Sequence, residues 1–198
     1  MLCKSGAISF KAFLPSTLKH LTLKEGSDVT ESFVFPEDLE SLDVLSLISR
    51  EVQVKIFSNP QHLPQKLKRV RAAVAPKLVA ALSGLTHLAL DGNNGRANVL
   101  DLPSQLRELE LHNFADFDFS AIATCTDLRR LFIKNSGCSR PDWSKLPKNL
   151  FQISIVDIPY EKRWPKMSVS EWVNLPVFCS TIPRLDSVME GLVQFSEV

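Results

Sequence analysis

The chain has 198 residues, of which 44% are hydrophobic, and its 23 basic and 22 acidic residues give a net charge of +1. This length and composition predict one globular domain, or two small ones. The balanced charge argues against a nucleic-acid partner, which usually selects a basic excess. A membrane partner is not expected either, because no apolar run reaches the roughly 18–20 residues that cross a bilayer.

Cysteine usage indicates a reducing compartment. The four cysteines, Cys3, Cys125, Cys138 and Cys179, form no C-x-x-C pair and have no histidine at zinc-binding spacing. Four reduced thiols in a cytoplasmic protein are the expected state. A Cys138–Cys179 bridge is the alternative.

One short pattern, L-P-x-x-L-x-x-L-x-L, recurs along the chain. Its leucines come at the alternating spacing of a strand with one buried face. Three full copies and three looser ones occur, in chain order LPSTLKHLTL from Leu14, FPEDLESLDV from Phe35, LSGLTHLAL from Leu82, LPSQLRELELHN over Leu102–Asn113, CTDLRRLFI from Cys125 and LPKNLFQISI from Leu146.

The repeat has a nearly constant period. Its first internal leucine falls at Leu18, Leu39, Leu67, Leu85, Leu106, Leu128 and Leu150, with successive gaps of 21, 28, 18, 21, 22 and 22 residues. A unit of this length cannot bury its own leucines, so stacked neighbours must cover them. The sequence therefore predicts a solenoid with one strand per unit.

These motifs resemble the leucine-rich repeat family, whose repeats run roughly 20–29 residues. The resemblance covers about residues 8–158 and implies an α/β solenoid. In that fold, a horseshoe or arc carries a parallel concave β-sheet and a mostly irregular convex side. Only Asn93 stands where the family places its asparagine, whereas Asn113, Asn135 and Asp157 come one residue early. We therefore expect the usual asparagine ladder to be disturbed.

Two regions depart from the repeat. Glu51–Phe57 alternates like an extra strand. Residues 65–82 have apolar residues at helical spacing, so they form either a convex helix or a degenerate repeat with a strand at Val70. Leucine becomes rare after Leu150, and Ser168 with Glu171 has capping-box spacing. We predict about seven repeats over 1–158 and a helical C-terminal cap over 159–198, with the start of a further domain as the alternative.

Two features of the sequence are candidates for a chemical role. Asp91 and His112 occupy equivalent places in adjacent repeats, which permits a pH-sensitive contact or a weak metal site but more simply a solvated pair. Cys125 begins a C-x-D tripeptide that resembles the catalytic loop of bacterial ubiquitin ligases carrying leucine-rich repeats. Because Cys125 stands where an apolar residue belongs, we expect an inert buried thiol. No catalytic, cofactor or metal site is predicted.

The expected function rests on the strand residues whose side chains point away from the core. They are polar, mixed in sign and different in every repeat, which by analogy of fold suits binding of a protein partner on the concave face. We expect a monomeric, non-enzymatic module. The alternatives are the substrate-targeting domain of a larger ubiquitin ligase or effector protein, and a self-associating scaffold. The predicted contact residues are Phe132, Arg130, Glu108, Glu110, Arg69, Arg71, His87 and His112.

Overall fold

The computed structural model describes residues 14–24, 33–45, 53, 56–57, 63–73, 82–93, 96–97, 102–117, 120–137 and 143–156. Within these ranges lie nine strands, one α-helix of four residues and one 3-10 helix, together with helical residues at Gln53, Ile56 and Phe57. The strands are β1 His20–Thr22, β2 Ser41–Asp43, β3 Arg69–Ala72, β4 His87–Asp91, β5 Arg96–Ala97, β6 Glu108–His112, β7 Asp116–Phe117, β8 Arg130–Lys134 and β9 Gln152–Val156. The α-helix α1 spans Ser120–Ala123, and the 3-10 helix spans Trp143–Lys145.

Seven strands form one parallel sheet in the order β1-β2-β3-β4-β6-β8-β9. The register aligns the same repeat position in every unit, so that Leu88 lies beside Leu109 and Leu109 beside Leu131. A second parallel pair, β5 and β7, joins the segments that follow β4 and β6. The predicted solenoid with a parallel sheet is therefore confirmed. Helix is scarce in the described part of the chain, so the helical half of the expected α/β class is not observed there.

The same turn leads into every strand of the main sheet. The first internal leucine of each repeat is here called the ruler leucine. Its backbone N–H donates to the carbonyl three residues earlier, over 3.0–3.2 Å, as in Leu106 to Pro103 and Leu150 to Pro147. This bond closes a β-turn. Proline suits the accepting position, since it lacks an N–H and fixes its own φ. Five units have proline there, and Leu82 and Cys125 take its place in the other two.

A shared carbonyl fixes the register between units. The carbonyl of Arg107 accepts the N–H groups of both Arg129 and Arg130, at 2.9 and 3.0 Å. The carbonyls of Lys19, Glu40, Lys68, Thr86 and Arg129 each accept two N–H groups of the following unit in the same way. Because a slip of one residue would move every leucine of a strand to the other face, these bonds and the buried leucines select the same pairing.

The core is one continuous stack of aliphatic side chains. Each unit contributes its ruler leucine and the two alternating residues of its strand, as with Leu106, Leu109 and Leu111, which are 0%, 1% and 0% exposed. Phe114, Phe117 and Ile122, which follow β6 in the chain, belong to the same buried cluster. Among the described residues, no buried side-chain nitrogen or oxygen lacks a hydrogen-bond partner.

The structure decides between the alternatives for the middle of the chain. β3 at Arg69–Ala72 pairs with β2 and β4, and Leu67 and Val70 are buried, which favours the degenerate repeat and excludes one helix over 65–82. Residues 74–81 lie outside the described ranges. Leu63 and Pro64 begin this unit, so LPQKLKRVRA follows the same frame with valine and alanine in place of leucine.

The extra strand predicted at Glu51–Phe57 is wrong at the residues that the structure describes. Gln53, Ile56 and Phe57 are helical and buried. Their spacing of three and four residues places all three on one face of a helical turn, and this helical spacing competes with the alternation of the segment. The Gln53 side-chain oxygen accepts the N–H of Ala73 at 2.7 Å, so the helical residue caps the end of β3.

The asparagine ladder departs from the family pattern, as expected. Asn113 and Asn135 follow β6 and β8 in left-handed backbone conformations, with φ of 55° and 48°. The Asn135 amide donates to the Asn113 side-chain oxygen at 2.6 Å, and the Asn113 amide donates to Asp91 at 2.7 Å. Asparagine tolerates positive φ better than most residues. The ladder therefore forms one position earlier than the family pattern predicts.

The cap over 159–198 and the boundary at 158 lie outside the described residues and remain predictions. In the part of the chain that the structure describes, no helix is long and apolar enough to span a bilayer.

Gly92 provides a test of the close packing behind β4. A Cβ atom at this position would lie 2.5–2.9 Å from ring atoms of Phe114, which is itself 5% exposed. We expect Gly92→Ala to lower the free energy of unfolding by about 1–3 kcal/mol through overpacking. Urea denaturation measures this loss, and the double variant Gly92→Ala with Phe114→Leu should recover part of it. A fully stable single variant would contradict the packing described here.

Candidate protein-binding face

The side chains of the main sheet that point away from the core form a continuous surface, here called the open face. It consists of the first and third residue of every strand, together with the fifth where the strand is long enough. β6 shows the pattern most clearly, since Leu109 and Leu111 are buried while Glu108, Glu110 and His112 are partly exposed. The open face therefore changes its chemistry from strand to strand while the core beneath it stays aliphatic.

The structure brings all eight predicted contact residues together on this face. The register aligns one row across the strands in the order Arg69, His87, Glu108 and Arg130. A second row runs parallel to it through Arg71, Ala89, Glu110 and Phe132. His112 lies at the end of β6 beside Lys134 of β8.

Two shallow depressions lie on the open face. The larger, of about 440 Å³, lies over β3, β4 and β6 and is lined by Ser41, Arg69, Val70, Arg71, His87, Leu88, Ala89, Glu108 and Glu110. The smaller, of about 290 Å³, lies over β6, β8 and β9 and is lined by Glu108, Leu109, Glu110, Arg130, Leu131, Phe132, Gln152 and Ser154. Glu108 and Glu110 form the wall between the two. Small side chains at Ala89 and Ser154, both buried, leave the space.

Glu108 links three strands through its two carboxylate oxygens. One oxygen accepts a hydrogen bond from the Arg130 guanidinium at 2.9 Å. The other lies 3.4 Å from Nε2 of His87. Because the side chains stay partly exposed, each of these pairs contributes modestly to stability. Their effect on the site is to hold the carboxylate in one orientation.

His87 is held as a neutral ring. Burial lowers the pKa of His87, and the positive charges of Arg69, Arg107 and Arg130 lower it further, while Glu108 opposes them. Its Nδ1 also lies 2.8 Å from the Thr86 hydroxyl. Burial is the largest of these effects, and together with the three arginines it outweighs the nearby carboxylate.

The depressed pKa of His87 predicts a pH dependence of stability. Between the ordinary value of 6.5 and the lower folded-state value, the unfolded chain binds the proton and the folded chain does not. The contribution of neutral His87 to the free energy of unfolding is therefore complete above pH 6.5. It is lost as the pH falls from 6.5 through the lower pKa of the folded state. We expect His87→Gln to flatten the urea-unfolding free energy across this range. His20→Gln, on the same row, is the control, and an equal flattening there would contradict the assignment.

Glu110, His112 and Phe132 form a second cluster. The Glu110 carboxylate lies 3.2 Å from Nε2 of His112, and this hydrogen bond is the main reason why the pKa of Glu110 is lowered. The rings of His112 and Phe132 are 5.7 Å apart, centre to centre, at 45°. Phe132 therefore points away from the core as predicted, but its ring is half-buried by these neighbours instead of being fully exposed.

A second aromatic residue was missed by the sequence reading. Phe151 immediately precedes β9, and 49% of its surface is exposed. The Arg130 guanidinium lies 5.7 Å from the centre of the Phe151 ring, within the range of a cation–π contact. The position before each strand lies outside the alternation that predicts the surface residues, although the repeat frame identifies it.

The position before each strand also carries ion pairs at the start of the solenoid. Glu40 lies between Lys19 at 3.4 Å and Lys68 at 2.9 Å, and these two lysines lower the pKa of its carboxyl. Two further pairs link the same units at other positions. Asp38 pairs with Lys66 in the preceding turns at 2.6 Å, and Asp43 pairs with Arg71 on the open face at 3.2 Å. Charges of neighbouring units therefore compensate one another in this region.

The pair Asp91 and His112 lies in register on adjacent strands, as predicted, but the two side chains have separate partners. Asp91 accepts hydrogen bonds from the Asn93 backbone and the Asn113 amide, at 2.8 and 2.7 Å. His112 pairs with Glu110 instead. In the described ranges no group of three or more His, Cys, Asp or Glu side chains is arranged to hold a metal ion.

Cys125 is a buried core residue with 0% exposure and no disulfide partner. Burial raises the pKa of its thiol to about 11. A thiol in this state is a poor nucleophile, because the thiolate is the reactive form. The expectation that Cys125 is a buried residue within the repeat is confirmed.

No protein-family model matches this sequence, and no curated protein shows significant similarity to it.

Proposed function

We propose that this chain is a leucine-rich repeat module that binds a protein partner on its open face and catalyses no reaction. In this proposal the main sheet lines the concave side of an arc, and residues 159–198 cap its end. The observation that carries the proposal is the open face itself. Eight charged, imidazole or aromatic side chains converge on it above an aliphatic core that does not require them.

The geometry of the two depressions favours a protein over a small molecule. Small-molecule sites are usually concave, mostly apolar and deep enough to bury most of the ligand. Both depressions here are open to solvent and share the charged wall of Glu108 and Glu110. Arg69 and Arg71 line the other side of the larger depression, and Arg130 lines the smaller one. Arginine and aromatic side chains are also enriched among the residues that dominate protein interfaces. Arg130 and Phe132 are therefore the proposed anchors.

The test is site-specific photo-crosslinking. We expect p-benzoylphenylalanine in place of Phe132 to crosslink one reproducible protein from cells that express the chain. The same amino acid at Lys148, an exposed turn residue outside the open face, is the matched control. Equal products from both positions, or no product from position 132, would contradict binding on the open face.

Two further properties belong to the same proposal. A monomer is expected, and light scattering coupled to size exclusion distinguishes it from a self-associating scaffold. Cytoplasmic residence is inferred from the four cysteines, whose spacing suits reduced thiols.

A further inference from the structure

The residues that immediately precede the strands form a row of their own along the edge of the open face. The shared-carbonyl bonds place them in equivalent positions of successive units, in the order Lys19, Glu40, Lys68, Thr86, Arg107, Arg129 and Phe151. Neighbouring backbones in this row are therefore about 4.8 Å apart, the spacing of adjacent strands. Charges that follow one another along the row must either pair or repel.

The first part of the row is compensated. Its charges alternate as Lys19, Glu40 and Lys68, and both lysines contact the carboxylate between them. The later part is not. Arg107 and Arg129 are exposed neighbours of like charge, and neither guanidinium makes an ion pair or a hydrogen bond with a residue that the structure describes. Like charges in neighbouring positions disfavour the fold, so this arrangement lacks a stabilising reason within the repeat.

Phe151 continues the row after the two arginines. It is the more exposed aromatic residue of this end of the solenoid, with 49% of its surface accessible. Arg130, which contacts its ring, directs a further positive charge to the same place. Two arginines that have no ion pair among the described residues, followed by an exposed phenyl ring, thus lie in three successive units.

We propose that Arg107, Arg129 and Phe151 form a docking ridge for an acidic segment of a protein partner, with two carboxylates followed by an apolar side chain. The inference rests on the proposed function and extends the binding surface beyond the open face. An extended segment places alternate side chains on one side, about 6.7 Å apart. A Glu-x-Glu-x-Leu segment therefore matches the row, since the long arginine side chains absorb the difference in spacing.

The ridge is continuous with the open face. The charge of Arg107 acts on His87 and contributes to lowering the pKa of that ring. Arg130 belongs to both surfaces, since it pairs with Glu108 on the open face and contacts Phe151 on the ridge. One partner could therefore occupy both.

A protein segment fits the ridge better than nucleic acid does. A protein that binds DNA through its phosphates can make on the order of 6–10 contacts with basic side chains, whereas the ridge offers two arginines. Carboxylates also stand beside it, at Glu108 in the open face and at Asp127 in the exposed turn before β8. These would repel a long phosphate backbone at more points than a short segment with two carboxylates.

The ridge is tested with the whole chain and a synthetic peptide, Ser-Glu-Ser-Glu-Ser-Leu-Ser, acetylated and amidated at its ends. We expect titration of the isotope-labelled protein to shift the resonances of Arg107, Arg129 and Phe151. Neutralisation by Arg107→Gln with Arg129→Gln should weaken binding on the order of tenfold, because exposed charge contacts each contribute a few-fold. Leucine replaced by serine in the peptide should weaken it as well.

The control has the same change in net charge. Lys19→Gln with Lys68→Gln removes two cations from the compensated part of the row and should leave peptide affinity unchanged. Equal losses in both double variants would overturn the ridge in favour of general charge attraction. Tighter binding of an octathymidine oligonucleotide than of the peptide would overturn the choice of a protein segment.

The outcome separates the ridge from the proposed function. A specific crosslink from position 132 that is retained in the Arg107→Gln, Arg129→Gln protein, together with no peptide binding, would overturn the ridge alone. Peptide binding at the ridge without any crosslink from position 132 would overturn the open face as the binding site.

Discussion

Leu109→Ala is expected to lower the free energy of unfolding by about 2–5 kcal/mol, because it removes a buried side chain from a core that is packed from both sides. Leu109 is 1% exposed and lies in the middle of β6, between Leu88 of β4 and Leu131 of β8. In a solenoid each unit contacts mainly its neighbours. The cavity should therefore destabilise units on both sides, and urea denaturation followed by circular dichroism measures the loss.

The control lies one residue away on the same strand. Glu110 points to the open face and is half-buried, and its carboxylate lies 3.2 Å from Nε2 of His112. We expect Glu110→Ala to change the free energy of unfolding by less than about 1 kcal/mol, the usual range for exposed pairs. A larger loss from Glu110→Ala than from Leu109→Ala would mean that the strand register is shifted by one residue.

The sequence predicts this register because two periods agree. Side chains alternate along a strand, and the units repeat at intervals near 21–22 residues, so Leu106, Leu109 and Leu111 fall at matching places in every unit. The buried residues follow directly from that frame. Even the unit at Leu67, which follows a gap of 28 residues, keeps its strand because Val70 and Ala72 preserve the alternation.

Local alternation alone misled where the repeat frame was absent. Between two units, Gln53, Ile56 and Phe57 satisfy a helical turn as well as a strand, and tertiary packing selects the turn because all three side chains reach the core. The asparagine ladder is displaced from the family spacing, as expected. It still forms because Asn113 and Asn135 need only a left-handed backbone and a neighbouring acceptor.

The candidate site was predictable in position but not in its pairings. Which residues share the open face follows from the period of two, and all eight lie there. Which charges neutralise each other depends on rotamers and burial, which the sequence does not encode locally. Thus the Glu108 carboxylate contacts both Arg130 and His87. The cation–π contact of Arg130 is made with Phe151 and not with Phe132.

Phe132→Ala is expected to weaken partner binding by about 2 kcal/mol or more, roughly thirtyfold in Kd. Phe132 lies between Glu110 and Ser154 across the sheet and beside Arg130 and Lys134 along the strand.

Because the ring of Phe132 is half-buried, the test must separate a loss of binding from a loss of stability. Its ring contacts His112, so the alanine variant should lose a small part of its stability while the core beneath, at Leu131 and Ile133, stays intact. Val34→Ala is the matched control, because Val34 is apolar, 81% exposed and outside the strands. Affinity for the crosslinked partner is measured by isothermal titration, and stability by thermal unfolding of the same samples. A fall in melting temperature as large as that of Leu109→Ala would show that Phe132 serves the core, and unchanged affinity would remove it as an anchor.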